Sequence, residues 1–246
     1  MSQLVSEPLS DLDVFKTGFR LFRESVPAIL LLALVIAGFE EIPELIFPEP
    51  ASGDFNWDAY LAGLILSPIP LFLSLALLLR LDDIAEGRSG APLRKHLSAA
   101  KTLIVPVLAS TVLYVSIVAL GTMLLIVPGI FLSVSLSLYL FFQIFEGAGI
   151  TESLKRSRAL LEGNWWHAAT VLFITFLTGL AMTLPPTLAA VWMVGGAKSI
   201  AATFVVEICT ILGAAFGKIL MSAVMLTLYR NLQVHAALQI TQSPLA

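Results

Sequence analysis

Residues 102–145 read TLIVPVLASTVLYVSIVALGTMLLIVPGIFLSVSLSLYLFFQIF, without a single Asp, Glu, Lys or Arg. A bilayer crossing takes about 20 apolar residues, so this stretch is long enough for two. Pro128-Gly129 stands where a tight turn would divide them. The rest of the chain has the same character: 58% of the 246 residues are hydrophobic and only 13% are charged. Soluble domains carry nearly twice that charge, and the mean hydropathy of +0.92 makes lipid the solvent for most of the chain. A net charge of -3 excludes a generally basic nucleic-acid binder, and a single cysteine, Cys209, excludes an intramolecular disulfide framework.

Working outward from 102–145, the gaps between charges mark the other spans. Ala59 to Leu79 is one uncharged gap, and 163–197 is another, interrupted at Pro185-Pro186. Residues 199–229 are apolar except for Glu207 and Lys218. The pattern predicts an all-α polytopic membrane protein, one integral-membrane domain over 1–246, with six spans near 25–46, 58–80, 103–127, 130–146, 166–186 and 203–229. The span at 130–146 is short enough to be re-entrant instead of crossing.

The bases sit on one side of this scheme. Lys16, Arg20 and Arg23 precede the first span; Arg80, Arg88, Arg94, Lys95 and Lys101 lie between the second and third; Lys155, Arg156 and Arg158 lie between the fourth and fifth; Arg230 follows the sixth. The opposite side has Lys198 and, in its first loop, Glu40, Glu41, Glu44, Glu49, Asp54 and Asp58. The positive-inside rule therefore puts both termini, with a tail at 230–246, in the cytoplasm. Residues 1–24 are polar and acidic, unlike a cleavable signal peptide.

Each cytoplasmic segment before an odd-numbered span reads as a short basic amphipathic helix. Leu12, Phe15, Phe19 and Phe22 recur on one face of the first, over 1–24; Leu93 and Leu97 mark the second, and Ile150, Leu154 and Leu161 the third. Such helices lie in the headgroup layer, where their bases meet anionic lipid. The candidate lipid contacts are Arg20, Arg23, Arg94, Lys95, Lys155, Arg156 and Arg158. The order of interfacial helix, span, span occurs three times, an architectural repeat.

One longer signature runs from 125 to 166: Leu125-Ile126-Val127-Pro128-Gly129-Ile130, an apolar span, Glu146-Gly147, Glu152-Ser153-Leu154-Lys155-Arg156-Ser157, and Gly163-Asn164-Trp165-Trp166. It resembles the bacterial membrane-domain family attached to some glycerophosphoryl diester phosphodiesterases and the related YciC-like inner-membrane proteins. The resemblance implies a bacterial inner-membrane protein. It brings no catalytic site, because the phosphodiesterase chemistry of such fusions belongs to a separate soluble domain. Members often carry an Arg inside the span after Pro-Gly, whereas residues 130–145 here are uncharged. Physically, Pro128 and Gly129 suit a hairpin turn. Gly163 suits a helix stop and Asn164 an N-cap, with Trp165 and Trp166 setting the depth of the next span.

Enzyme signatures are missing. His96, His167 and His235 are scattered, and no phosphate loop or nucleophile elbow occurs; no metal or cofactor is expected. Asp82-Asp83 reads as solvated surface. The last span is the place where chemistry would hide, because no 20-residue window between 199 and 229 avoids both Glu207 and Lys218. A charge at mid-membrane costs roughly 2.5–3.5 kcal/mol and calls for a partner. Eleven residues put the two on one helix face but about 16 Å apart, too far for a direct pair. Gly213 and Gly217 between them suit close approach by another helix, from a membrane partner or a second copy. The expectation is a non-enzymatic accessory or scaffold protein that binds anionic lipid and a membrane partner. The alternative is a small transporter or lipid-handling protein with a polar seam at Glu207 and Lys218.

Overall fold

The computed structural model describes residues 5, 7–47, 55–88, 90–194 and 200–242; Glu49, Asp54 and Lys198 of the charge argument lie outside them. Among the described residues the chain is all-α: α1 (Asp11–Ile46), α2 (Trp57–Leu66), α3 (Pro68–Ala85), α4 (Leu93–Leu124), α5 (Ile126–Ser135), α6 (Tyr139–Glu146), α7 (Ile150–Leu161), α8 (Trp165–Val194) and α9 (Ile200–Gln242). Among the described residues five stretches are long and apolar enough to cross a membrane, up to six when α2 and α3, bent by 46° at their break, count as one span. The protein is a polytopic membrane protein.

Three boundaries differ from the sequence expectation. The first two interfacial helices are not separate: the segment before the first span continues into it as α1, and 92–102 opens α4. Pro27 and Pro106 lie inside these helices without ending them. Only the third, α7, stands alone, because Gly147 (φ +64°) and Gly163 (φ +84°) stop the chain on either side of it in a conformation only glycine adopts cheaply. At the other end, α9 does not stop near 229 but runs on to Gln242 through most of the expected tail. The second span bends at Ser67, where Pro68 and Pro70 supply no backbone donor.

The Pro128-Gly129 turn is also corrected. The chain reverses at Leu125, which is extended (φ -162°, ψ 146°), and α5 has already started at Ile126. Pro128 falls in the first helical turn, where its missing N–H has no intrahelical partner to lose. Gly129 is needed for proximity: a Cβ there would lie 2.8 Å from the Thr122 Cα, so the pair brings α5 onto α4. The span near 130–146 is broken. α5 and α6 are separated by 136–138, and a side chain from α7 takes over the freed backbone groups. Ser157 Oγ donates to the Ser135 carbonyl and accepts from the Leu138 amide, both at 3.1 Å. Buried away from water, those groups would otherwise cost several kcal/mol each.

Packing is tightest around α9. The main core joins Ile29, Ala33 and Ile36 of α1, Leu77 and Leu81 of α3, and Ala215, Ile219 and Ala223 of α9. Gly18 admits α9 so closely that a Cβ would sit 2.7 Å from the Val224 Cα. Small residues at crossings are how helices associate in lipid, where apolar burial alone gives no drive. α4 packs mainly on α3, through Leu75, Ala76, Ala100 and Val107, and on α5 and α6.

Candidate functional site

The polar chemistry concentrates on one turn of α9, Tyr229-Arg230-Asn231-Leu232-Gln233, and four other helices are tied there. Arg230 donates from Nη2 to Asp82 Oδ1 at 2.6 Å, and to Glu86 Oε1 at 3.1 Å, at the end of α3. Its guanidinium carbon lies 5.5 Å from the centre of the Phe145 ring of α6. Tyr229 and Gln233 donate to the same Glu146 oxygen at 2.7 and 2.9 Å. Glu146 also holds Arg156 of α7 at 3.0 Å. Asn231, fully buried, accepts from the Leu9 amide at 2.8 Å just ahead of α1. Its amide nitrogen stands 3.1 Å from His167 Nε2 on α8. With Nε2 accepting, the His167 proton belongs on Nδ1, where it meets Asp11.

A second set of contacts fixes the start of α4 to the end of α3. Asp83, which reads in sequence as solvated surface with Asp82, is only 8% exposed. It accepts from Arg88 at 3.0 Å and faces the buried His96 Nε2 at 3.1 Å and Lys95 Nζ at 3.5 Å. Beyond the helix end, Arg88 holds the Glu86 carboxyl below the usual carboxylate range, chiefly through a direct hydrogen bond. Arg156 does the same for Glu152 on α7. Sequence reasoning missed this arrangement because its members are far apart along the chain. The local signal was the polar run 229–233, which breaks a long apolar stretch.

Pairing sorts the seven candidate lipid contacts into two groups. Lys95 and Arg156 are engaged with carboxylates of the same chain. Arg20, Arg23, Arg94, Lys155 and Arg158 are exposed and make no salt bridge among the described residues. The ties through α9, α3 and α6 gather the segments carrying them at the same end of the molecule.

Glu207 and Lys218 do not meet each other. Lys218 reaches α1 and pairs with Glu40, both groups remaining partly exposed. Glu207 lies within electrostatic range of Glu41 on α1. Gly213 is used inside the chain: a Cβ would come 2.9 Å from the Thr183 Cα of α8. At Gly217 an added Cβ meets nothing within 4 Å.

The family-signature residues close one side of a groove. Asn164 precedes α8 and its carbonyl accepts from Ala168, so it occupies the N-cap position, and Gly163 reverses the chain ahead of it. Trp165 stacks on Phe131 and donates from Nε1 to the Phe131 carbonyl at 3.3 Å, while Trp166 is 79% exposed. Both line an open, mostly apolar groove of about 1040 Å³ between α4, α5 and α6 on one side and α8 and α9 on the other. Among the described residues no cluster of His, Cys, Asp and Glu has the shape of a metal site, although the His167 and His235 rings are 6.2 Å apart. No family model, no curated protein and no solved structure matches the chain.

Proposed function

We propose that this is a non-enzymatic accessory or scaffold protein of a bacterial inner membrane, with its basic end in the cytoplasm, and that this end binds anionic lipid. The observation that carries the reading is the sorting of the bases. The structural contacts engage Lys95, Arg156 and Arg230, whereas Arg20, Arg23, Arg94, Lys155 and Arg158 stand exposed and form no salt bridge among the described residues. A base near an anionic surface contributes about 1 kcal/mol, so five together hold a membrane face or a headgroup firmly. A membrane partner, or a second copy, has its open position at Gly217. The likeness of 125–166 to the phosphodiesterase membrane domains belongs to the same reading, since its Glu146, Ser157 and Trp165 serve the architecture.

A second reading, lipid handling, is favoured by the groove behind Trp165 and Trp166. Transport through a Glu207–Lys218 seam has less support, because Lys218 spends its charge on Glu40.

The test is native mass spectrometry of protein released from its own membrane in mild detergent. The wild type is compared with a variant carrying Arg20, Arg23, Arg94, Lys155 and Arg158 all as Gln. Copurifying anionic phospholipid is expected on the wild type and should be largely lost from the variant. Equal retention by both would sink the reading.

A further inference from the structure

We propose that the groove between α5–α6 and α8–α9 seats an acyl chain of an anionic diacyl phospholipid, with the phosphate met by Arg158 and Lys155. This deepens the lipid-binding reading above and rests on it. The groove is lined by Ile130, Val134, Leu140, Phe173, Met221 and Met225, among others, and its volume of about 1040 Å³ is at the top of the range for small-ligand sites, roughly 300–1,000 Å³. Those side chains offer a hydrocarbon tail dispersion contacts and, at the two methionines, an adaptable floor.

Two observations choose a phospholipid over other occupants. First, Trp165 and Trp166 line the groove at the start of α8, and indoles settle at headgroup depth. The anchored Trp165 and the exposed Trp166 therefore put the entrance at the membrane–water boundary. Second, exposed bases stand close to the entrance along the chain. Arg158 occupies the last turn of α7, joined to Trp165 only by Glu162, Gly163 and Asn164. Neither it nor Lys155 forms a salt bridge among the described residues, while their neighbour Arg156 is doubly paired.

The experiment uses the full chain with Trp57→Phe and Trp192→Phe, so that fluorescence reports Trp165 and Trp166 alone. It is reconstituted in vesicles of phosphatidylcholine containing a minor fraction of either phosphatidylglycerol or phosphatidylcholine with brominated acyl chains. Bromine quenches tryptophan on contact. The anionic brominated lipid should be enriched about fivefold or more over the zwitterionic one, the factor that one base near an anionic charge supplies. Ala169→Phe, which fills the groove, should remove the contact with both lipids. Lys155→Gln with Arg158→Gln should remove the preference and leave the contact. Melting curves of each variant in detergent establish that it is folded, and Ala169→Leu serves if the larger side chain is not accepted.

Equal quenching by both lipids, unchanged on filling the groove, would overturn the proposal. A preference for anionic lipid that survives Ala169→Phe but disappears in the Lys155/Arg158 variant also overturns it, while leaving the lipid-binding reading of the basic end intact. So does a mass in solution that halves on filling the groove, which assigns the groove to a second copy of the chain.

Discussion

Arg230 and Asp82, 148 residues apart in sequence, meet at 2.6 Å with both side chains largely withdrawn from solvent. Removing one partner from such a pair costs more than the pair contributes, because the survivor keeps its charge in a poor solvent. Arg230→Met should destabilise the protein by about 3 kcal/mol. Asp82→Asn added to it should recover part of that loss. Thermal unfolding in detergent measures both, and strictly additive effects would mean the two side chains are not coupled.

Lys218 and Glu40 carry a simpler expectation. Both are partly exposed, so Lys218→Leu should change stability by no more than about 1 kcal/mol. Reversing one charge is different: Lys218→Glu places two carboxylates together, and Glu40→Lys in the same chain should restore the pair. Melting temperatures of the two single variants and the swap decide it. A swap no better than Lys218→Glu would mean that Lys218 has another partner.

The two glycines of α9 should behave oppositely. Gly213→Ala puts a methyl group against the backbone of Thr183 and should cost about 1–3 kcal/mol as α8 is displaced. Gly217→Ala meets open space and should be neutral or stabilise by up to about 1 kcal/mol through helix propensity. Equal losses at both positions would show that a second surface covers Gly217, and crosslinking at that position would then identify a partner.

Acid should loosen the basic end. Arg88 holds the Glu86 carboxyl below its ordinary range chiefly by a hydrogen bond, helped by the charges of Arg88 and Arg230. Arg156 lowers Glu152 in the same way. A carboxylate with a depressed folded-state pKa contributes stability above its unfolded value, near pH 4.3, and loses it as pH falls through the folded pKa. Stability should therefore be level on this account from pH 7 to about 5 and decline below about pH 4. Glu86→Gln should lower stability at neutral pH and make the acid decline shallower. An unchanged acid limb would remove Glu86 from the balance.

How much of this was legible in the sequence depends on the range of the interaction. The spans are local: 102–145 has no charge to place in water, so hydropathy alone locates two helices there. The stop at Gly163 was legible too, because a left-handed turn at a helix end is a property of a few neighbouring residues. Pro128-Gly129 was misread as the turn, since proline and glycine also suit a first helical turn pressed against Thr122. Asp82 and Asp83 were misread because nothing near them in sequence announces Arg230 or His96. The same holds for Lys218, whose carboxylate lies on α1 and not eleven residues away. Merging of the interfacial helices with α1 and α4 was hidden because a change from basic amphipathic to uncharged sequence reads as a boundary, yet the helical backbone continues through it.

The hub at 229–233 has a consequence for biosynthesis. Helix α1 enters the membrane early, but the face at Gly18 and the Leu9 backbone receive their contacts only when Val224 and Asn231 have been made. At roughly 5–20 residues per second that interval is on the order of ten to forty seconds. Asp82 waits for Arg230 and Glu146 for Tyr229 in the same way. During this time the newly inserted helices form an open circle with Asp82 still lacking its arginine, and the arrival of α9 closes it. A stop codon before Arg230 would therefore do more damage than the loss of a helix end suggests: α9 would still pack on Gly18, but Asp82, the Leu9 backbone and His167 would all lose their partners. Quality-control proteases acting on half-assembled membrane proteins would meet their substrate at that step.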